Sequence, residues 1–204
     1  MSLGFDGIPG RLAAAIMARR NRPAEAEAID RLRPAATDTV LVIGFGPGVG
    51  LKLLQPWCAR ICAVDPSEVM HGTAAKINRD ALASGQLQLA RTTAARLPWP
   101  AKSFDGALAV NSMQLWDPLP ASIAEISRVL RPGARLVTLT HDWAPDRRRL
   151  GWLDQVSALC AEYGLTEATT WRGRAEHGRI IGFEVRRYPV AQRRAAQAHA
   201  GRSS

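Results

Sequence analysis

Cysteine is scarce in this chain of 204 residues, which contains only three. Cys58 and Cys62 lie four residues apart, but no second pair of cysteine or histidine residues has the spacing of a zinc site. We therefore expect no metal site. Cys58, Cys62 and Cys160 are interpreted as small buried residues.

Long apolar runs are also absent, since no stretch approaches the roughly 18 residues that a membrane span requires. At the N-terminus, Asp6 and Pro9 precede an apolar stretch that ends at Arg19 and Arg20, which is not the order of a secretory signal. We therefore expect a cytoplasmic protein. The hydrophobic content of 47% and the length are typical of one well-buried globular domain.

Aromatic residues make up only 6% of the chain, although the formal net charge is +9. A basic surface can bind nucleic acid or an acidic membrane surface. Here arginine far outnumbers lysine, and its clusters, such as 147–149 and 193–194, lack the interleaved aromatic residues that stack on bases. This pattern argues against nucleic acid as the partner, which we keep as an alternative.

Glycine is concentrated directly after an apolar run at 40–43, at Gly44, Gly46, Gly48 and Gly50. Glycines at such a turn let the backbone pass close to a ligand, and the helix that follows offers free N–H groups. The spacing does not fit the dinucleotide pattern G-x-G-x-x-G. The triphosphate pattern fails as well, because Lys52 lies between two leucines. The remaining pattern, G-x-G-x-G, indicates a nucleotide-like ligand without a pyrophosphate.

Buried strands alternate with helices over most of the chain, which predicts a parallel sheet with helices on both faces. The predicted strands are 39–44, 61–64, 86–90, 104–110, 135–140, 166–173 and 180–187. The predicted helices are 8–20, 24–33, 49–57, 68–83, 120–130 and 147–163. The last two strands form a hairpin, so one of them is antiparallel. We therefore predict a doubly wound, Rossmann-like α/β fold with seven strands, mostly parallel.

The chain is expected to form a single domain over residues 1–188. The two N-terminal helices, separated at Arg22 and Pro23, fall in residues 1–36, and 37–188 form the core. Residues 189–204, rich in Arg, Ala, Gln and Ser, are expected to be a flexible basic tail. Ligands of such open sheets bind at the carboxyl ends of the strands. By this rule we expect one edge of the sheet to contain the glycine loop together with Asp65, Asn111, His141 and Asp142.

Four segments in order resemble the class I S-adenosylmethionine-dependent methyltransferases, in their small-molecule, type 11-like branch. The glycine loop resembles the first motif of this family, and 63–70 resembles the second. Residues 95–105 look like the segment that enters the fourth strand, and 127–137 like the turn into the fifth. Together the matches span roughly residues 37–141.

The resemblance implies S-adenosyl-L-methionine as cofactor, S-adenosyl-L-homocysteine as product, and methyl transfer to an unidentified small molecule (EC 2.1.1.-). It also implies that Asp65 hydrogen-bonds both ribose hydroxyls and that Met70 borders the adenine ring. Arg19, Arg20 and Asn21 would belong to a lid of N-terminal helices over the cofactor. The cofactor-binding residues implied in this way are Gly44, Gly46, Gly48, Asp65, Pro66, Met70, Thr93, Ala94 and Asn111.

Two positions depart from the pattern of the family. Relatives usually have Asp or Glu two residues before the first glycine, where the carboxylate helps to hold the cationic methionine end, and this chain has Val42. Many relatives have an acidic residue near the adenine amino group, where this chain has Thr93. These departures keep open a second hypothesis, a methyltransferase-like domain that has lost catalysis and acts as a binding or scaffold protein.

Methyl transfer from a sulfonium is an in-line displacement, in which the protein mainly aligns the acceptor with the methyl group. A general base is needed only if the acceptor still carries its proton. His141 is our candidate for that base or for orienting the substrate, and a purely structural histidine is the alternative.

The acceptor pocket is expected after the fourth strand, with Gln114, Trp116 and Trp143 as candidate lining residues. Trp152 and Trp171 belong either to this pocket or to the core. The sequence Asn-Ser-Met-Gln at 111–114 differs from the Asn/Asp-Pro-Pro-aromatic motif of enzymes that methylate exocyclic amines of bases. This difference argues against a nucleic-acid acceptor.

Overall fold

The computed structural model describes residues 21–141, 151–175 and 178–188. Its strands form one seven-stranded sheet in the spatial order β3-β2-β1-β4-β5-β7-β6. Strands β1 to β5 run parallel to one another, whereas β7 is antiparallel to both β5 and β6. The predicted fold class is therefore confirmed. The strands are β1 (Thr39–Ile43), β2 (Arg60–Val64), β3 (Leu87–Ala90), β4 (Phe104–Val110), β5 (Leu130–His141), β6 (Leu165–Ala175) and β7 (Gly178–Arg187).

Helices cover both faces of the sheet. They are α1 (helical over 21–32), α2 (Val49–Leu54), α3 (Glu68–Ile77), α4 (Arg79–Ala83), α5 (Leu119–Val129) and α6 (Trp152–Glu162). Alternate residues of β1 enter different cores, because successive side chains of a strand point to opposite faces. Val40 and Val42 pack with α1 and α2, while Leu41 and Ile43 pack in the core formed with α5 and α6.

The helix predicted over 68–83 is two helices, because the chain turns at Asn78 (φ −114°, ψ 27°). The buried Asn78 side chain donates hydrogen bonds from Nδ2 to the carbonyl oxygens of Gly48 (3.0 Å) and Ala74 (2.9 Å). Its Oδ1 accepts one from Gln55 Nε2 at 2.8 Å. An asparagine that bonds to nearby backbone groups competes with the helix, and here it ties α3 to the glycine loop.

Strand β5 begins at Leu130, five residues before its predicted start at 135. Leu130 pairs with Phe104 and Arg135 with Gly106, so the register shifts by a bulge that takes up the intervening Pro132 and Gly133. A bulge lets a strand continue past residues that a regular ladder excludes. Our prediction that the strand begins at 135 was therefore wrong.

Two helix boundaries also differ from prediction. No break occurs at Arg22 and Pro23, since both lie in α1. Proline has a helical φ, so Pro23 is compatible with the helical backbone at this position. Helix α6 begins at Trp152, not at 147, because Gly151 has a left-handed φ of 90°.

All three cysteines are buried and unbonded to one another. Burial raises the pKa of the Cys58 and Cys160 thiols to about 12, so these two are protonated at neutral pH. Within 21–141, 151–175 and 178–188, no cluster of three or more His, Cys, Asp or Glu side chains could hold a metal ion. None of the helices in these ranges is long and apolar enough to cross a membrane.

Candidate functional site

The carboxyl ends of four neighbouring strands open into one cavity of about 640 Å³. Its walls come from the segments that follow these strands, and from Asn21 and Glu25 of α1. The strand order β3-β2-β1-β4 places the four segments side by side along the edge of the sheet. In that order, they are 91–94, 65–68, 44–49 and 111–117.

The glycine loop has left-handed backbone at Gly44 (φ 73°), Gly46 (φ 52°) and Gly48 (φ 88°). A β-carbon on Gly44 would lie 2.3 Å from Ser112 Cβ, and one on Gly48 would lie 2.7 Å from Ala74 Cβ. These two glycines therefore permit close packing, and Gly48 does so outside the cavity. Gly46 has open space where a side chain would be, so its backbone faces the cavity directly.

Asp65, directly after β2, connects two of the cavity's walls. Its Oδ2 accepts a hydrogen bond from Gly46 N–H (3.0 Å), and its Oδ1 accepts one from Ser67 N–H (2.9 Å). Because only 8% of the residue is exposed, burial raises the pKa of the carboxyl group, an effect that the two N–H donors oppose. Each carboxylate oxygen has a second lone pair, so Asp65 can still accept hydrogen bonds from a ligand.

The cavity extends beyond Asp65 toward β3. Four of the implied cofactor-binding residues line this end, namely Pro66, Met70, Thr93 and Ala94. Met70 and Ala94 are buried, whereas Thr93 is exposed at the rim. At the mouth, Arg91 Nη1 donates to Glu68 Oε2 at 2.8 Å, an exposed ion pair that contributes little stability. This end therefore offers apolar surface beneath a polar rim, which suits a flat heterocycle.

The opposite end of the cavity, after β4, contains Asn111. Its Nδ2 donates to Asn21 Oδ1 at 3.1 Å, and its Oδ1 accepts from His141 N–H at 2.8 Å. The ring atom Nδ1 of His141 lies 2.8 Å from Asn111 Nδ2. His141 is only 1% exposed and does not line the cavity. Asn111 therefore stands between the imidazole and any bound molecule.

The expected acceptor residues are not all at the cavity. Trp116 lines it, but Gln114 does not, and Gln114 Nε2 donates to the carbonyl oxygen of Asn111 at 2.9 Å. Trp152 packs against the core, and Trp171 Nε1 donates to Glu27 Oε1 at 2.7 Å on the α1 face of the sheet. Trp143 and Asp142 lie outside the described residues.

Glu25 of α1 lines the cavity and was missed by the sequence analysis. The side chain is partly buried, and burial raises the pKa of its carboxyl group to about 8. A signal was present in the sequence, because Glu25 precedes the apolar Ala28 and Ile29 by three and four residues. That spacing places a carboxylate on the buried face of a helix.

The cavity fits the cofactor that the sequence motifs imply. About 640 Å³ lies within the usual range for sites that hold small ligands. The cavity runs across four strand ends, with a carboxylate at Asp65 in its middle and exposed backbone at Gly46. Such an elongated site suits a nucleoside that carries an amino-acid arm, with the hydroxyls of its sugar near Asp65.

Comparison with known proteins agrees with this interpretation. Residues 41–138 match the model of a family described as a methyltransferase domain. An uncharacterised methyltransferase of Mycobacterium tuberculosis (strain ATCC 25618 / H37Rv) is 34% identical over 165 residues, which are 80% of this chain and 61% of that protein. An O-methyltransferase of Pyrenophora dematioidea is 31% identical over 154 residues, which are 72% of this chain and 58% of that protein. The chain thus spans about three fifths of the length of these relatives.

A solved structure shares the fold at low sequence identity. It is a putative S-adenosyl-L-methionine-dependent methyltransferase of Methanococcus maripaludis, which superposes with a TM-score of 0.73 at 18% identity. The superposition covers 93% of this chain and 96% of that structure. At this identity, the likeness extends to the fold alone.

Substitution of Gly44 and Gly46 by alanine should show how much each position depends on close packing and how much on backbone conformation. Gly46→Ala should lower the free energy of unfolding by about 1–2 kcal/mol, the cost of a left-handed residue with a β-carbon. Gly44→Ala should cost about 1–3 kcal/mol more, because its β-carbon also meets Ser112. Urea denaturation of both variants measures the difference. Equal losses would contradict the packing at Ser112.

The raised pKa of the Glu25 carboxyl should make the stability of the protein depend on pH. Its pKa is about 8 in the folded protein, against roughly 4.3 in an unfolded chain. The unfolded state therefore releases this proton first, and the stability that protonation contributes is lost as the pH rises from about 4.3 to about 8. Relative to Glu25→Gln, the wild type should become progressively less stable from pH 5 to pH 8.5 in urea denaturation. A constant difference would contradict the raised pKa of this carboxyl.

Proposed function

The chain belongs to the class I S-adenosylmethionine-dependent methyltransferase family, as its motifs predicted, and from this premise we propose that it methylates a small-molecule acceptor. The cofactor of this family is S-adenosyl-L-methionine. The observation that carries the proposal is the carboxylate of Asp65, which faces the cavity while it accepts the N–H of Gly46 in the glycine loop. The Asp65 carboxylate, which can accept hydrogen bonds from ligand hydroxyls, therefore lies next to the exposed backbone of Gly46.

The order of the strands suggests how the cofactor lies. We place the adenine between the segments after β2 and β3, against Met70 and Ala94, and the ribose hydroxyls on Asp65. The amino-acid arm then crosses Gly44 and Gly46 toward β4, where Asn111 and the first described turn of α1 close the cavity. In this placement α1 belongs to a lid over the arm, held partly by the hydrogen bond between Asn21 and Asn111.

The residues that line the cavity would bind and orient the cofactor and the acceptor, and they would exclude water. When bound, the cofactor supplies a methyl group on a sulfonium, which the acceptor takes by in-line displacement. Leu115, Trp116 and Asp117 line the cavity at the end of β4, where we place the entry of the acceptor. The apolar side chains there would keep water from the reacting atoms and fix the angle of approach.

His141 fits a positioning role better than that of a general base. It does not line the cavity, and its main-chain N–H and ring both contact the Asn111 side chain. We propose that His141 fixes the orientation of the Asn111 amide, and that Asn111 touches the ligand. A base, where an acceptor needs one, would then be another group, and Asp117 is a carboxylate that lines the cavity where we place the acceptor.

The comparisons do not favour the two alternatives. The relatives reported above are named methyltransferases, and none is named a scaffold or a nucleic-acid enzyme. The relative from Pyrenophora dematioidea is named an O-methyltransferase, so hydroxyl-bearing small molecules are the first acceptors to test. A cytoplasmic location stays a prediction.

Asp65 provides the test of the proposed cofactor site. Wild-type protein should be stabilised by S-adenosyl-L-methionine and S-adenosyl-L-homocysteine in thermal denaturation. Asp65→Asn should weaken S-adenosyl-L-homocysteine at least about tenfold in calorimetry, because hydrogen bonds to a charged group contribute most. Asp80→Asn, which removes an exposed carboxylate of α4, is the matched control and should bind like the wild type. No stabilisation of the wild type by either molecule at millimolar concentration would refute the proposal.

A further inference from the structure

The cavity has an uneven distribution of charge. At the β3 side, the charged residues Arg91 and Glu68 pair with each other at the mouth. At the β4 side, the charged residues that line the cavity are Glu25 and Asp117, both acidic. Asp117 is exposed, whereas Glu25 is partly buried beside the glycine loop. The end that would receive the amino-acid arm therefore has two carboxyl groups and no cation among its described lining residues.

Glu25 is held directly against the glycine loop. A β-carbon on Gly50 would lie 2.2 Å from Glu25 Oε2 and 3.0 Å from Oε1, so the carboxyl group occupies the space that the missing side chain leaves. Gly50 is in the first turn of α2 and has no positive φ, so its need for glycine is this contact and not backbone strain. The fourth glycine thus makes room for a carboxylate that comes from another element.

The end of β1, which leads into the glycine loop, has no acidic side chain. Val42, two residues before Gly44, is 6% exposed and packs in the apolar core with α1 and α2. An acidic side chain there would be buried among apolar residues. Glu25 approaches from the helix that covers this core, and it lines the cavity that Val42 does not reach.

We propose that Glu25 binds the α-ammonium group of the cofactor's amino-acid arm. In this way α1 supplies the carboxylate that β1 lacks at Val42, two residues before the first glycine of the loop. This assignment rests on the proposed function, since it requires the cofactor to lie with its arm toward β4. A cation next to a partly buried carboxylate favours the ionised form. In the absence of a ligand, burial keeps that carboxyl protonated up to a pH of about 8.

The number of protons released when a ligand binds is a readout that does not depend on enzymatic activity. At pH 7, S-adenosyl-L-homocysteine should release close to one proton per molecule bound, because the ammonium group ionises Glu25. Calorimetry in two buffers of different ionisation enthalpy measures this number. 5′-Methylthioadenosine keeps the nucleoside and the sulfur but lacks the amino-acid arm, so its binding should release none. Equal proton release with the two molecules would overturn the proposal.

Two variants test the same contact in different ways. Glu25→Gln removes the ionisable group with little change in shape, and Gly50→Ala keeps that group but displaces the carboxyl group from its place. Both should weaken S-adenosyl-L-homocysteine at least about tenfold and leave 5′-methylthioadenosine within about twofold. The matched control is Asp30→Asn, an exposed carboxylate on the same helix, which should change neither affinity.

The outcomes separate this proposal from the cofactor site on which it rests. If Glu25→Gln weakened the binding of both molecules to the same extent, Glu25 would have a structural role and the proposal would be overturned. Unchanged affinity for S-adenosyl-L-homocysteine in both variants would overturn it as well, while the cofactor site would stand. If the wild type binds neither molecule, the proposed function fails, and the assignment of Glu25 fails with it.

Discussion

The hydrogen bond from Gly46 N–H to the Asp65 carboxylate is the contact on which the site depends. It joins the loop after β1 to the turn after β2, two segments that the parallel sheet brings side by side. The second oxygen of Asp65 accepts from Ser67, so the same carboxylate also fixes the start of α3. Main-chain donors thus hold a buried acid in place at the centre of the cavity, where each of its oxygens can accept a further hydrogen bond.

Burial affects the two carboxyl groups of the proposed site differently. Burial raises the pKa of both Asp65 and Glu25, because low polarity disfavours the charged form. Asp65 has N–H donors that oppose this effect, whereas the pKa of Glu25 is shifted by burial alone. A cationic ligand would relieve that cost at Glu25, and a neutral one would not. This difference between the two acids is the basis on which we propose a ligand with hydroxyls near Asp65 and a positive charge near Glu25.

Local pattern in the sequence was enough to predict the sheet and its central acid. The strands are short apolar runs bounded by turn residues, and the glycines and Asp65 come directly after two of them, so topology alone brought them together. Asn78 and the bulge in β5 escaped prediction because each depends on a long-range partner, the glycine loop for one and β4 for the other. His141 was expected at the ligand edge, but only the packed structure shows Asn111 in front of it. The spacing of Glu25 indicated that it lies on the buried face of a helix, but not which residue it contacts, because Gly50 is 25 residues away in the chain.

The most direct test of this account is a crystal structure of the protein with S-adenosyl-L-homocysteine. We expect both ribose hydroxyls within hydrogen-bonding distance of the Asp65 carboxylate, the adenine against Met70, and the α-ammonium group at Glu25. A complex in which the ribose does not contact Asp65, or in which the molecule lies outside the cavity at the strand ends, would contradict it.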